Sequence, residues 1–308
     1  MRLRPYQPGD EDAQVQIYNI AAGSLPAFKR ANVEEVARRY KSADFDPASK
    51  WYAERDGRVV GYAVFNPNGR VSYPWCLPDA EDLREPLLDA VLSGLRERGI
   101  PEAWAAYRAD WPAVLSFLES RGFERSRTMV NYAAELARVP RIPVPPGESI
   151  EPLDRADVPH LVALGEGLFP GDVESLARSF WENPYLAPSD LFALRGRDGK
   201  IRGIALLVGN RGFADPTKVD PAMPCFRLGT FGTEQERHKR LNGVFSCLFE
   251  DEAAGEILLG EAARRLELSG LTHIASQVPS DAPAQCAFYD RQFQRQGSFP
   301  ILRRATGA

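Results

Sequence analysis

The chain has 308 residues, enough at roughly 150 per domain for about two domains, each able to bury a core without disulfide or metal staples. A hydrophobic content of 44% with 26% charged residues excludes disordered, collagenous and coiled-coil classes. The net charge of −4 gives no general field for nucleic acid or anionic lipid, so neither is expected as a partner, and any anionic ligand has to be held by local geometry.

In chain order, Arg2 to Pro5 reads as a short strand, followed by an Asp-bearing turn and a helical stretch at Ala13 to Ala22. The amino terminus turns acidic where a signal peptide needs an apolar run, and runs such as GIALLVG are too short to cross a bilayer, so a cytoplasmic, non-membrane protein with reduced thiols is expected. Apolar runs on either side of Asp56-Gly57 predict a hairpin. Leu87, Leu88, Val91, Leu92 and Leu95 fall on one helical face, stopped by Gly99. A strand at Glu102 to Tyr107 and a helix at Trp111 to Ser120 follow. The segment 139–147 carries four prolines and reads as a stiff, extended linker.

After the linker the chain repeats itself. Asp56-Gly57-Arg58-Val59-Val60-Gly61-Tyr62-Ala63 matches Asp198-Gly199-Lys200-Ile201-Arg202-Gly203-Ile204-Ala205 at a constant offset of 142. Cys76/Cys247, Leu87-Leu88/Leu258-Leu259, Gly99/Gly270, Pro112-Ala113/Pro283-Ala284 and Phe117/Phe288 match at an offset of 171. The second copy has therefore gained 29 residues, within about 211–241, on a connection that takes only Asn66 to Arg70 in the first. The domains are 1–138 and 148–308, and each unit reads β-α-α-β-β-β-α-β-α-β, a mixed α+β class.

That order, with a strand feeding a long helix bearing a Leu-Leu pair, then a strand and a helix with an aromatic before Gly122-Phe123, resembles the GNAT acetyltransferase superfamily over nearly the whole chain, twice. Two linked copies look like tandem members such as the mycothiol synthases in architecture. The resemblance implies two tandem acyl-CoA N-acyltransferase domains, each a twisted mixed sheet flanked by helices. It implies acetyl-CoA as acyl donor, held where two parallel strands splay, with its pyrophosphate cradled by an R/Q-x-x-G-x-G/A loop at a helix start.

Sliding that loop onto the first copy puts Asp82 and Arg84 at its glycine positions, among Asp79, Glu81 and Glu85, so this loop reads as helix-terminal acids in a degenerate domain. In the second copy the positions hold Ala253 and Gly255, and Leu248, Phe249, Ala253, Ala254, Gly255 and Glu256 are the expected cofactor contacts, with main-chain amides near Ala254 open to a diphosphate. Glu250, Asp251 and Glu252 stand against this, offset if the basic turn Arg237-His238-Lys239-Arg240 supplies charge; as a bland alternative that turn is a solvated hairpin tip. A competing register takes Arg237 to Gly243 itself as the phosphate loop. The family's acid, a tyrosine in A-x-x-x-x-Y, matches Ala284 to Tyr289, while the first copy has Leu118 there. Tyr289 reads equally as a core aromatic. Glu234, Glu236, His238 and Asp281 are the open choices for a general base.

The expected function is an acetyl-CoA-dependent N-acetyltransferase of a small amine, with its site in 148–308. The alternative is a catalytically silent tandem protein that binds a ligand or partner. The apolar insertion, with Phe213, Phe226, Leu228 and Phe231, leaves a homodimer or interdomain packing open. The scattered cysteines and histidines predict no metal site.

Overall fold

The structure is a computed structural model that describes residues 1–41, 45–165, 172–183, 186–209, 230–231, 240–241 and 243–307. The first half runs β1 (Arg2–Pro5), α1 (Asp10–Ala21), α2 (Val33–Tyr40), β2 (Lys50–Arg55), β3 (Arg58–Val64), β4 (Trp75–Cys76), α3 (Arg84–Glu97), β5 (Glu102–Ala106), α4 (Pro112–Ser120) and β6 (Glu124–Glu135). The second repeats that order as β7 (Ser149–Pro152), α5 (Val158–Leu164), α6 (Val173–Trp181), β8 (Leu191–Arg195) and β9 (Ile201–Val208). After the short pair β10 (Thr230–Phe231) and β11 (Arg240–Leu241) come β12 (Gly243–Phe249), α7 (Glu252–Leu268), β13 (His273–Pro279), α8 (Pro283–Gln292) and β14 (Gln294–Ala305). The rest of the insertion lies outside the described residues, as do Glu234, Glu236, His238 and the other residues of the basic turn up to 239.

Local chemistry sets the boundaries. Asp56 and Gly57 both take positive φ, +52° and +72°, as the tight β2–β3 turn requires. Gly99 and Gly270, at +67° and +73°, end α3 and α7 in the same way: Ile100 and Leu271 donate back to Leu95 and Leu266, satisfying carbonyls the helix leaves open. α8 lacks that glycine. Phe293 turns directly into extended backbone and feeds β14, which is why the second copy has no Gly-Phe pair.

Pairing between strands departs from two self-contained units. β1-β2-β3-β4 form a four-stranded sheet, and the other ladder is eight-stranded, in the order β5-β14-β6-β13-β12-β9-β8-β7. The two copies exchange their closing strands: β14 of the second lies between β5 and β6 of the first, and β6 lies between β14 and β13. The proline segment runs from the end of β6 across α7, where a Cβ on Gly260 would stand 3.2 Å from the Ile142 amide nitrogen and 3.3 Å from the Pro140 oxygen.

Each half buries a long helix on its sheet. Leu87, Leu88, Val91, Leu92 and Leu95 of α3 fill the first core, and Ile257, Leu258, Leu259, Ala262, Ala263 and Leu266 of α7 the second, with Cys76 and Cys247 at matching buried strand positions. In both halves the strand before the helix barely touches the strand after it. β4 and β5 lie in different sheets, and the segment ahead of β4 meets β5 in an isolated parallel bridge between Arg70 and Trp104. The parallel strands β12 and β13 pair only at Gly243 with Ile274 and Val244 with Ala275, and then diverge.

Candidate functional site

The divergence of two parallel strands leaves backbone amides without a ladder partner, and both halves fill that gap, differently. In the first half Tyr73, Trp75, Tyr107 and Trp111 close it, ring against ring, with the Tyr73 and Trp75 centroids 4.8 Å apart. The Tyr107 hydroxyl takes the Tyr73 amide proton, and Leu118 is buried beside this cluster. The acids before α3 are spent on arginines: Asp82 on Arg55 at 2.6 Å, Glu81 on Arg84 and Glu85 on Arg121. Arg55 holds the Asp82 carboxyl below its usual range. These acids stand at helix starts, as the sequence implies, Glu85 in the first turn of α3 and Asp79 and Glu81 in the short helical turn before it, but no side chain caps α3, and Glu81, Asp82 and Glu85 are held by ion pairs.

In the second half the gap is filled by one hydroxyl. α8 carries Tyr289 into the divergence, where it is 1% exposed and its Oη accepts the Cys247 amide at 3.2 Å, with Cys247 Sγ at 3.6 Å. That amide is available because beyond Val244 β12 keeps its pairing with β9 on one edge and has none with β13 on the other. The ring stacks on Tyr132 of β6, whose own hydroxyl donates to Asp290 at 2.9 Å. Burial pushes the Tyr289 phenol well above its ordinary range, so it keeps its proton at neutral pH.

The start of α7 differs from the expectation of open amides. Asp251 is its N-cap: Oδ1 accepts from the Ala254 amide at 2.9 Å, and Oδ2 from Arg202 of β9 at 2.7 Å. Arg202 is in turn gripped by Glu148 at 2.7 and 2.8 Å. The Arg202 bond, followed by that of the Ala254 amide, holds the Asp251 carboxyl below its ordinary range. Glu252 pairs with Arg291, and Glu256 accepts from Gln292 at 3.0 Å, tying α7 to α8. Ala253 is exposed, whereas Ala254 and Gly255 are buried. A Cβ on Gly255 would meet Phe249 at 2.9 Å and Phe288 at 3.1 Å, so the glycine admits two rings as well as any ligand. Leu248 is buried on the opposite face of β12, among Leu153, Leu161 and Ile204.

Of the competing register, 237–239 and 242 lie outside the described residues, and its last residue, Gly243, opens β12 and not a helix. Asp281 is exposed and paired with Arg127 at 3.2 Å. Among the described residues no group of His, Cys, Asp and Glu is placed to hold a metal ion, and no helix is long and apolar enough to cross a membrane. Sequence reasoning missed Arg202 and the Cys247 amide. The cap itself carried a signal, an Asp directly before Glu-Ala-Ala.

Known proteins were compared with this architecture. No family model matches the chain. A mycothiol acetyltransferase of Thermomonospora curvata is 31% identical over 137 residues, 42% of this chain and 46% of that protein. Another, from Thermobispora bispora, is 30% identical over 145 residues, 43% and 49% of the two chains. The chain thus spans about half the length of the curated relatives it matches. Among solved structures, a GCN5-related N-acetyltransferase from Sphaerobacter thermophilus superposes with a TM-score of 0.61 at 17% identity, covering 99% of this chain and 95% of that one. A tandem GNAT protein from the clavulanic acid biosynthesis pathway gives 0.53 at 14% identity, covering 100% and 99%. The repeat, the doubled element order and these superpositions agree that the chain is a tandem GNAT-fold protein with exchanged closing strands, similar in sequence over part of its length to mycothiol acetyltransferases.

Proposed function

We propose that the protein is an acetyl-CoA-dependent N-acetyltransferase of a small amine and that its second half carries the reaction. The observation that carries this reading is the Tyr289 hydroxyl seated on the Cys247 amide in the divergence of β12 and β13. A thioester brought there supplies an activated acetyl group. The Cys247 N–H would then donate to the carbonyl oxygen, where negative charge develops as the amine attacks; the buried phenol, still protonated, would give its proton to the departing sulfur, and the proton shed by the amine nitrogen would restore the phenol, directly or through water. Tyr289 must yield the amide for this, which costs one hydrogen bond, on the order of 1 kcal/mol, in addition to any packing its ring gives up against Tyr132, Phe245 and Phe293.

The two ends of the donor fit differently. The divergence suits the thioester, but the start of α7 presents Asp251 to the diphosphate. That side chain is 49% exposed, so it can leave the Ala254 amide for water, and Arg202 would then be released toward the phosphates. The same cap favours the second reading, a silent protein in which Asp251 and Arg202 have permanently replaced the phosphate site.

Calorimetry with millimolar acetyl-CoA, paired with thiol release across a panel of primary amines, decides between them. The enzyme reading expects saturable binding and thiol release that falls about 100-fold in Tyr289→Phe, with donor affinity within about threefold of wild type. Absence of binding overturns it, and binding without thiol release from any amine establishes the silent reading.

A further inference from the structure

A buried hydroxyl of the second half stands idle in this structure. Ser276 of β13 is 0% exposed, and its Oγ has no hydrogen-bond partner among the described residues. Leaving a buried hydroxyl unsatisfied costs a folding equilibrium about 5- to 100-fold, and alanine would fill the same place without that loss. A group kept at such a cost calls for a use in another state of the molecule.

Its surroundings follow from register. Ile274 and Val278, two residues to either side on β13, belong to the core that holds Tyr289, so the Ser276 side chain points into that same core. Ser276 pairs with Tyr132 of β6, the ring on which Tyr289 stacks. On the other edge Val244 pairs with Ala275, which puts Ser276 level with Phe245, two residues before Cys247. The Tyr289 ring therefore lies against Tyr132 and Phe245, with its hydroxyl on the Cys247 amide and the Ser276 hydroxyl close by but unbonded. Burial raises the Tyr289 phenol before any other cause, and Ser276 acts the other way, favouring the ionised form.

Acyl transfer changes what that phenol needs. Once the thioester carbonyl holds the Cys247 N–H, Tyr289 Oη has lost its donor. When the phenol's proton goes to the sulfur as the carbon–sulfur bond breaks, a buried phenolate oxygen remains until the proton shed by the amine nitrogen restores it. An anion in that place is far costlier to leave without a donor than the neutral phenol. We infer that Ser276 is a positioning residue for Tyr289: its O–H turns onto Tyr289 Oη when the donor takes the Cys247 amide, and it holds the phenolate during turnover. This rests on the acyl-transfer reading and gives the idle hydroxyl its partner. Ser276 acts through Tyr289, which alone passes the proton.

A double-mutant cycle of Ser276→Ala and Tyr289→Phe on the intact protein tests the assignment, read by acetyl-CoA calorimetry and by thiol release with the panel of primary amines. With Tyr289 present, Ser276→Ala is expected to lower kcat about 10- to 100-fold, the worth of a hydrogen bond to a charged oxygen, and to weaken acetyl-CoA about fivefold. In the Tyr289→Phe background the same replacement is expected to change each by less than twofold, because no oxygen is left to serve; a side chain that merely fills space would act alike in both. The free Ser276→Ala protein is expected to melt at or above the wild-type temperature, since the unpaired hydroxyl is gone. Equal losses in the two backgrounds, wild-type turnover in Ser276→Ala, or a Ser276→Ala protein that melts several degrees lower overturns this inference alone. Wild type that fails to bind acetyl-CoA, or binds it without releasing thiol to any amine, overturns the acyl-transfer reading and the inference with it, so the two failures are told apart.

Discussion

Replacing Asp251 tests how the second half treats a diphosphate. Its carboxylate occupies the Ala254 amide at 2.9 Å, the place a phosphate oxygen would take. Two quantities oppose the ligand. Vacating an N-cap costs about 1 kcal/mol. A carboxylate about 5 Å from each of two phosphate charges costs about 1 kcal/mol per charge in the near-aqueous dielectric suited to a half-exposed group. Asp251→Asn keeps the capping oxygen and removes the charge, so coenzyme A should bind about 10- to 30-fold tighter. Asp251→Ala removes both obstacles and should gain about a further fivefold, while losing about 1 kcal/mol of folding stability. The sign with pH is fixed. The carboxyl is lowered in the folded protein, so its contribution to stability is complete above its unfolded value near 4 and disappears as pH falls through the lowered folded value. The stability advantage of Asp over Asn should vanish with it. Calorimetry with coenzyme A and urea unfolding at pH 7 and pH 3 measure all of this. Folded Asn and Ala variants that bind coenzyme A no tighter than wild type would refute the placement of the diphosphate at α7.

Two further outcomes follow from the packing. Residues 1–147 and 148–308 expressed separately should be insoluble, and co-expressed they should recover as a 1:1 complex, because β14 supplies the only ladder between β5 and β6; a monomeric, cooperatively melting single half would contradict this. In a Cys225→Ser background, a thiol reagent should label half-buried Cys286 and spare Cys76 and Cys247, whose thiols burial pushes up to about 12, until the protein is unfolded; mass spectrometry of the labelled native protein reads the order.

The order of elements was legible because it rests on local chemistry: the Asp-Gly turn, the Leu-Leu helix faces and the glycines that stop α3 and α7 recur in both copies at matching positions. The exchange of β6 and β14 was not. Both strands carry mixed polar and apolar residues that suit several neighbours, and pairing across more than 150 positions leaves no periodic trace. At the site, the pattern marks Tyr289 but does not place its hydroxyl on the buried Cys247 amide, which lacks a ladder partner because β13 turns away. Asp251 was counted as a repulsive charge when it is the cap.

The position of β14 also governs how this molecule is made. When β5 leaves the ribosome its neighbour has yet to be synthesised, and residues 294–305 come nearly two hundred codons later. At about 5–20 residues per second the nascent amino-terminal portion waits for on the order of 10–40 s with an unsatisfied strand edge, and during that interval another copy emerging from the same message could complete it in place of its own tail.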